Sequence, residues 1–253
     1  MTARNQKEIE ILREGGRKLA AVLEEVKRAV RPGVKTGDLD ALAEKLIARS
    51  GGRPSFKGYR AAGARSSYPA SLCVSVNDEV VHGIPSGRKL RPGDIAGLDI
   101  GMEYGGFFTD MAATLGAGEV DEVGWRLIRA TEQALKLAIS KVRSGASIGD
   151  LGEAVQKFVE AEGFGVVREL VGHGVGAKVH EDPEIPNWGK AGQGPALAEN
   201  MVIAIEPMVT EGSFEVYLSK DGWTWKTKDG SRAAHFEHTI LVTKNGAEIL
   251  TKC

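Results

Sequence analysis

Five side chains scattered through this sequence are of types that bind divalent metal ions: Asp99, Asp110, His173, Glu206 and Glu237. Each lies in a short apolar or glycine-rich stretch. An acid among hydrophobic neighbours, as in Ile95-Ala96-Gly97-Leu98-Asp99-Ile100 or Ile203-Ala204-Ile205-Glu206-Pro207-Met208, stays ionised only if positive charge compensates it. Four acids and one imidazole therefore point to a pair of bound dications. The set holds no cysteine and is dominated by oxygen ligands, which suits Mn, Fe, Co or Zn, with Mg the weaker match.

Asp99 and Asp110 fall on two strand-like runs joined by Met102-Glu103-Tyr104-Gly105-Gly106, and an antiparallel hairpin brings such carboxylates together. Neighbouring carboxylates repel, so either one takes up a proton or a metal keeps both ionised. Taken alone, the pair is equally what a turn or a solvated face presents. Gly172-His173-Gly174-Val175-Gly176 is a different signal, because residues without side chains let other groups approach the imidazole. His180 follows in His180-Glu181-Asp182-Pro183. All five histidines, His82, His173, His180, His235 and His238, lie in or beside acid-bearing or glycine-rich segments rather than on amphipathic helices, which favours site roles for His82, His173 and His180. Strand alternation puts Glu237 on one face with His235 and Thr239, leaving His238 on the other face as a structural residue.

An internal repeat supplies the elements that position these groups. Displaced by 112 residues, Val30-Arg31-Pro32-Gly33-Val34-Lys35-Thr36-Gly37-Asp38-Leu39 aligns with Val142-Arg143-Ser144-Gly145-Ala146-Ser147-Ile148-Gly149-Asp150-Leu151, and six of the ten pairs are identical. Helical patterns precede both copies, from Ile9 to Ala29 and from Glu122 to Lys141, and Thr36 or Ser147 stands near the start of the next helix. Strand-like runs follow at 72–82, 94–101 and 107–115, then at 166–172, 201–210, 215–219 and 235–243. Each half thus reads helix, helix, strands. The repeat places Asp99 and Glu206 at comparable positions, with acids from both halves meeting near a pseudo-twofold axis.

Composition narrows the function classes. With 253 residues, 42% hydrophobic, 26% charged and a formal charge of −1, the chain is an ordinary globule with no reason to take nucleic acid or a membrane as its main partner. Its two cysteines, Cys73 and Cys253, imply neither a disulfide framework nor a thiolate cage, and fit a reducing cytoplasm. The charged stretch Met1–Glu8 has no signal-peptide core, and no apolar run approaches a membrane span.

Val81-His82-Gly83-Ile84-Pro85, the Asp99 and Asp110 pair, Gly172-His173-Gly174-Val175-Gly176, His180-Glu181-Asp182-Pro183, Ile205-Glu206-Pro207-Met208 and Phe236-Glu237-His238-Thr239 together closely resemble the type I methionine aminopeptidases. The resemblance runs over essentially the whole chain. It implies an α+β pita-bread fold in a single catalytic domain, 1–253, whose pseudo-symmetric halves of about 1–118 and 119–253 surround a central antiparallel sheet. It also implies Asp99 on one metal, His173 and Glu206 on the other, and Asp110 and Glu237 bridging. A metal-bound hydroxide on this dinuclear centre would remove the N-terminal methionine when the second residue is small. Glu206 would carry the proton, and His82 and His180 would bind substrate and stabilise the tetrahedral intermediate. Tyr59, Tyr68, Cys73 and Trp223 match the apolar methionine pocket. The implied partners are nascent protein or peptide N-termini, with the ribosome as a further candidate and a monomer as the default.

Three departures bear on specificity. Val179 stands where bacterial relatives often carry an aromatic residue, His235 where the family commonly has glutamine, and 60–67 forms a longer connection whose composition suggests a mobile rim. Two rival functions remain at this stage: a related peptidase that cleaves before proline, and a binding module that has kept the fold without the chemistry.

Overall fold

The computed structural model describes residues 1–60 and 66–252. The first half contains α1 (Gln6–Ala29), α2 (Thr36–Arg49), β1 (Arg53–Pro54), β2 (Leu72–Val76), β3 (Glu79–Val81), β4 (Ile95–Tyr104) and β5 (Phe107–Gly116). The second contains α3 (Glu122–Lys141), α4 (Ile148–Ala161), β6 (Gly165–Val166), β7 (Gly172–Gly174), β8 (Glu181–Ile185), β9 (Val202–Ile205) and β10 (Met208–Thr210). It continues through β11 (Val216–Leu218), β12 (Trp225–Thr227), β13 (Ala233–His235), β14 (Glu237–Val242) and β15 (Ala247–Ile249).

The helices form for local reasons. Asn5 caps α1 by accepting from Glu8 N at 3.0 Å, Asp121 caps α3 through Gly124 N at 2.8 Å, and Ser147 and Asp150 cap α4 reciprocally. The bounds of α4 are those of α2 displaced by 112, so the sequence repeat is a structural repeat. Lys35, the counterpart of Ser147, gives α2 no side-chain cap. The hydroxyl of Thr36 instead donates to the carbonyl of Ser86, 3.2 Å away.

Side-chain alternation sorts the sheet into two faces. Leu98, Ile100 and Met102 of β4 and Met111 and Ala113 of β5 pack with Leu19, Leu23 and Val26 of α1 and Leu39, Ala43 and Ile47 of α2. In the second half Ile203, Ile205, Ile240 and Val242 pack with Leu127 and Leu135 of α3 and Leu151, Val155 and Val159 of α4. Each buried leucine contributes roughly 1.5–3 kcal/mol. The helices therefore cover one face, and Asp99, Asp110 and Glu237 emerge from the other.

The main sheet runs β1-β4-β5-β14-β9-β7-β8, with β2 beside β4 and β15 beside β14. Exchanging β5 with β14, β4 with β9 and β2 with β7 maps the inner run β2-β4-β5-β14-β9-β7 onto itself. Across the central β5–β14 pair Ala112 faces Glu237, which puts the pseudo-twofold axis between them. Asp110 then corresponds to His235, and Thr114 to Thr239. Their hydrogen bonds repeat this symmetry: Thr239 Oγ1 accepts from Asp110 N at 2.8 Å and donates to Asp110 O at 2.7 Å, and Thr114 Oγ1 does the same for His235 at 2.9 and 2.8 Å.

Several expected strands are broken where the site needs a bend. The run 72–82 is β2 and β3 separated by Asn77 at φ 59°, and only β2 joins the main sheet. The run 201–210 splits at Glu206-Pro207, where proline cannot donate to a ladder, and its second part, β10, belongs to a separate sheet with β13 and β6. Within 166–172 only the two ends are extended, and 235–243 parts at Phe236 into β13 and β14. The β4–β5 connection is tighter than expected. Gly105 and Gly106, at φ 59° and 87°, make a two-residue turn that suits the twist of the hairpin.

Candidate metal centre and pocket

Asp99 and Asp110 reach the same face of the hairpin diagonally, because Asp110 pairs with Gly101, two residues beyond Asp99. Glu237, at the start of β14, enters from across the axis. Glu206 follows the end of β9, and His173 sits on β7 opposite Ala204. Ligand atoms of Asp110, His173 and Glu237 lie within 4.8 Å of one another. Glu206 is flanked by two imidazoles: His173 Nε2 is 3.4 Å from its Oε1 and His235 Nε2 is 3.4 Å from its Oε2.

The glycines around His173 act as the sequence suggested. A Cβ at Gly172 would meet the carbonyl of Ala204 and the side chain of Ile185, and one at Gly174 would meet the carbonyl of Asp182. Their absence lets β8 and β9 close on the histidine. His173 Nδ1 lies 2.9 Å from Gly174 O, so the proton sits at Nδ1 and the Nε2 lone pair faces the carboxylates.

Whether a cation fits here is decided by the polar atoms the protein leaves unpaired. Asp99 Oδ1, Asp110 Oδ1 and Glu237 Oε1 are buried without a hydrogen-bond partner, and all three converge on this one place. Burial raises the Asp99 carboxyl to about 7, against the lowering influence of His235 and with Glu206 adding to the rise. Burial also pushes Asp110 and Glu237 well above the usual carboxylate range, followed by repulsion from the other acids. For Glu206 burial acts upward too, but His235 and His173 outweigh it and hold the carboxyl below its ordinary value. Three buried acids that would otherwise be protonated, and a fourth held ionised, form an oxygen-rich donor set that a divalent ion satisfies.

Beside this cluster is a cavity of about 680 Å³, lined by His82, His180, Tyr59, Tyr68, Cys73 and Trp223 as well as by the four acids and the histidine of the predicted set. Phe56, Tyr68, Cys73, Val179 and Trp223 pack together as its apolar wall. Tyr68 and Trp223 meet edge to face at 5.2 Å, and the Tyr68 hydroxyl donates to Gly83 O at 2.9 Å. The Cys73 thiol, buried and paired across the strands with Asp99, is pushed far up and behaves as an apolar filler. A second cavity of about 740 Å³ meets the first at His82, His173, His180 and Glu206.

His82 occupies a left-handed backbone conformation, φ 59°, which costs a residue with a side chain about 1–3 kcal/mol. Hydrogen bonds of its neighbour Gly83 hold it there: Gly83 N donates to Ser75 Oγ at 3.1 Å, and Gly83 O accepts from Val74 N at 2.9 Å. Burial pushes His82 and His180 each down to about 4. The rings of His173 and His180 contact edge to face at 4.4 Å, and Tyr59 OH hydrogen-bonds His180 Nδ1 at 2.9 Å.

Sequence reading did not single out Phe56, Leu218 and Trp225 as cavity residues, nor Thr114 and Thr239 as the clamps of His235 and Asp110. Their spacing carries no local signal, and only the sheet register brings them in. His238 turns away, as expected, to Thr251 at 3.0 Å. Most of the 60–67 rim, residues 61–65, lies outside the described residues, as does Cys253.

The profile of metallopeptidase family M24 matches residues 10–244. A methionine aminopeptidase of Clostridium perfringens is 46% identical over 248 residues, which is 98% of this chain and 97% of the relative. This chain belongs to the methionine aminopeptidases of family M24. Methionine aminopeptidase 1 of Bacillus subtilis is 45% identical over 97% of each chain. The crystal structure of a Thermotoga maritima methionine aminopeptidase superposes with a TM-score of 0.95 at 45% identity and full coverage of both chains. The pita-bread architecture of this methionine aminopeptidase family is therefore the fold of the chain, and its sheet and four helices are those described above.

Proposed function

We propose that the protein is a methionyl aminopeptidase that removes the N-terminal methionine from peptides and nascent proteins when the second residue is small. In this reading it acts in the cytoplasm as a monomer with two divalent ions drawn from Co, Mn, Fe or Zn. Among the described residues no helix is long and apolar enough to cross a membrane. The observation that carries the reading is the convergence of three unpaired buried carboxylate oxygens beside an apolar, aromatic cavity.

Asp99 would hold one ion, His173 and Glu206 the other, and Asp110 and Glu237 both. Bound there, the ions lower the pKa of a water molecule and polarise the scissile carbonyl. The remaining steps belong to side chains. The thioether of the substrate fills the wall formed by Phe56, Tyr68, Cys73 and Trp223, which fixes the first residue and excludes water. Glu206, ionised at neutral pH, accepts a proton from the attacking water at a carboxylate oxygen and returns it to the departing amine.

His82 and His180 are neutral at pH 7, so each offers an N–H without adding charge. With the Tyr59 hydroxyl donating to Nδ1, His180 keeps its proton at Nε2 for the oxygen on which charge develops. The peptide beyond the first residue leaves along the second cavity, which begins at these histidines.

The test is release of free methionine from Met-Ala-Ser by chelated protein resupplied with Mn, Fe, Co or Zn under reducing, anaerobic conditions, with Ala-Pro-Ser in parallel. Metal-restored release from the first peptide alone is expected. Cleavage of Ala-Pro-Ser instead would assign the chain to the proline-directed chemistry, and no cleavage or metal uptake would leave a binding module.

A further inference from the structure

We propose that His235 is a positioning residue for Glu206, donating its Nε2–H to Oε2 so that Oε1 is presented beside His173. The inference rests on the metallopeptidase reading and names the group that orients one of its ligands.

The pseudo-twofold axis puts His235 where the other half has Asp110, which explains why its side chain faces the cluster. Its backbone cannot drift, because both its N–H and its C=O are held by Thr114 Oγ1 at 2.9 and 2.8 Å. The residue is 3% exposed, and Nε2 is buried with no formed hydrogen bond. A buried N–H left in this state costs about 1–3 kcal/mol, so an acceptor is expected nearby. Among the described residues Glu206 is the one carboxylate within 4.0 Å, and it lies at 3.4 Å.

Tautomer logic assigns the donor. His173 also stands 3.4 Å from Glu206, but its Nδ1 proton is committed to Gly174 O, so its Nε2 has a lone pair and cannot donate to a carboxylate. Of the two imidazoles flanking Glu206, only His235 is free to supply the proton. One oxygen of Glu206 is then saturated by the protein and the other stays directed to the same side as the His173 lone pair. A ligand steered in this way binds metal better than one that must be ordered on binding, and loss of such a supporting contact typically weakens affinity about 10–100-fold.

The experiment measures binding of Co(II) and Mn(II) to chelated protein by calorimetry for the parent, H235L and H235Q, with thermal unfolding of each chelated form. Expected is a loss of about 10–100-fold in affinity for one ion in H235L, and affinity within about threefold of the parent in H235Q, whose amide N–H restores a donor. A merely structural role would lower the unfolding temperature of H235L without separating the two variants in metal affinity. H235L binding as tightly as the parent, or H235Q binding as weakly as H235L, overturns the inference. Should H235L not fold, H235M, with a more adaptable apolar side chain, carries the same comparison. A parent that takes up no metal overturns the functional reading, and this inference falls with it.

Discussion

Removing metal should make the stability of this protein fall as pH rises between 7.0 and 8.5, and restoring metal should abolish the fall. Burial has raised Asp99 from an ordinary 3.8 to about 7, and Asp110 and Glu237 well above their ordinary range. An acid whose pKa is raised in the folded state binds its proton more tightly there than in the unfolded chain. Raising the pH through that interval therefore favours unfolding. Each carboxyl still protonated in the chelated fold loses about 1.4 kcal/mol per pH unit, roughly 2 kcal/mol across the window. Asp99, at about 7, is half titrated at pH 7 and finishes within the window, so Asp110 and Glu237 carry most of the effect. His82, His180 and His238 have been pushed down to about 4 and contribute their own slope, of opposite sign, only below the unfolded value of 6.5. Hence the window begins at 7.0. Urea unfolding midpoints of chelated and Co(II)-saturated protein at both pH values give the measurement, and the difference between the two series removes every group that metal does not touch. A chelated protein whose midpoint holds steady or rises with pH would refute the reasoning, because the acids would then be ionised and compensated without a cation.

Glu237→Ala removes an acid shared across the axis, and metal stoichiometry by atomic absorption should drop along with loss of methionine release. Tyr59→Phe deletes the hydroxyl on His180 Nδ1, a bond worth about 1 kcal/mol, so kcat should fall roughly fivefold with metal content unchanged. Asp150→Ala breaks the capping box of α4 and a bond from Gly192 N at 2.8 Å, far from the cavity. It should cost about 1–2 kcal/mol by urea unfolding and leave turnover of folded protein intact.

The parts of this molecule legible in its sequence are those written in local patterns. The 112-residue repeat located four helices, the position of acids within apolar runs located the ligand candidates, and glycines around His173 marked the close approach of β8 and β9. Breaks within strands were not legible, since Asn77 and Glu206-Pro207 look like continuations until the chain must change sheets. Nor were the Thr114 and Thr239 clamps, which pair residues more than 120 positions apart. The roles proposed for individual ligands rest on the family resemblance, since alternation and spacing alone leave these residues as a set.

Symmetry also shows how the two halves share the acids of the cluster. Three pairs of positions related by the twofold lie on the sheet face that carries the acids: Asp99 with Glu206, Asp110 with His235, and Ala112 with Glu237. A strict repeat of either copy would also place four carboxylates here, two from each half, so divergence changes which positions are acidic and leaves their number unchanged. Ala112 and His235 are the two places where the copies differ in charge. Divergence of the halves at these positions puts an imidazole where the other copy has an acid, and so places His235 next to the carboxylate it would orient.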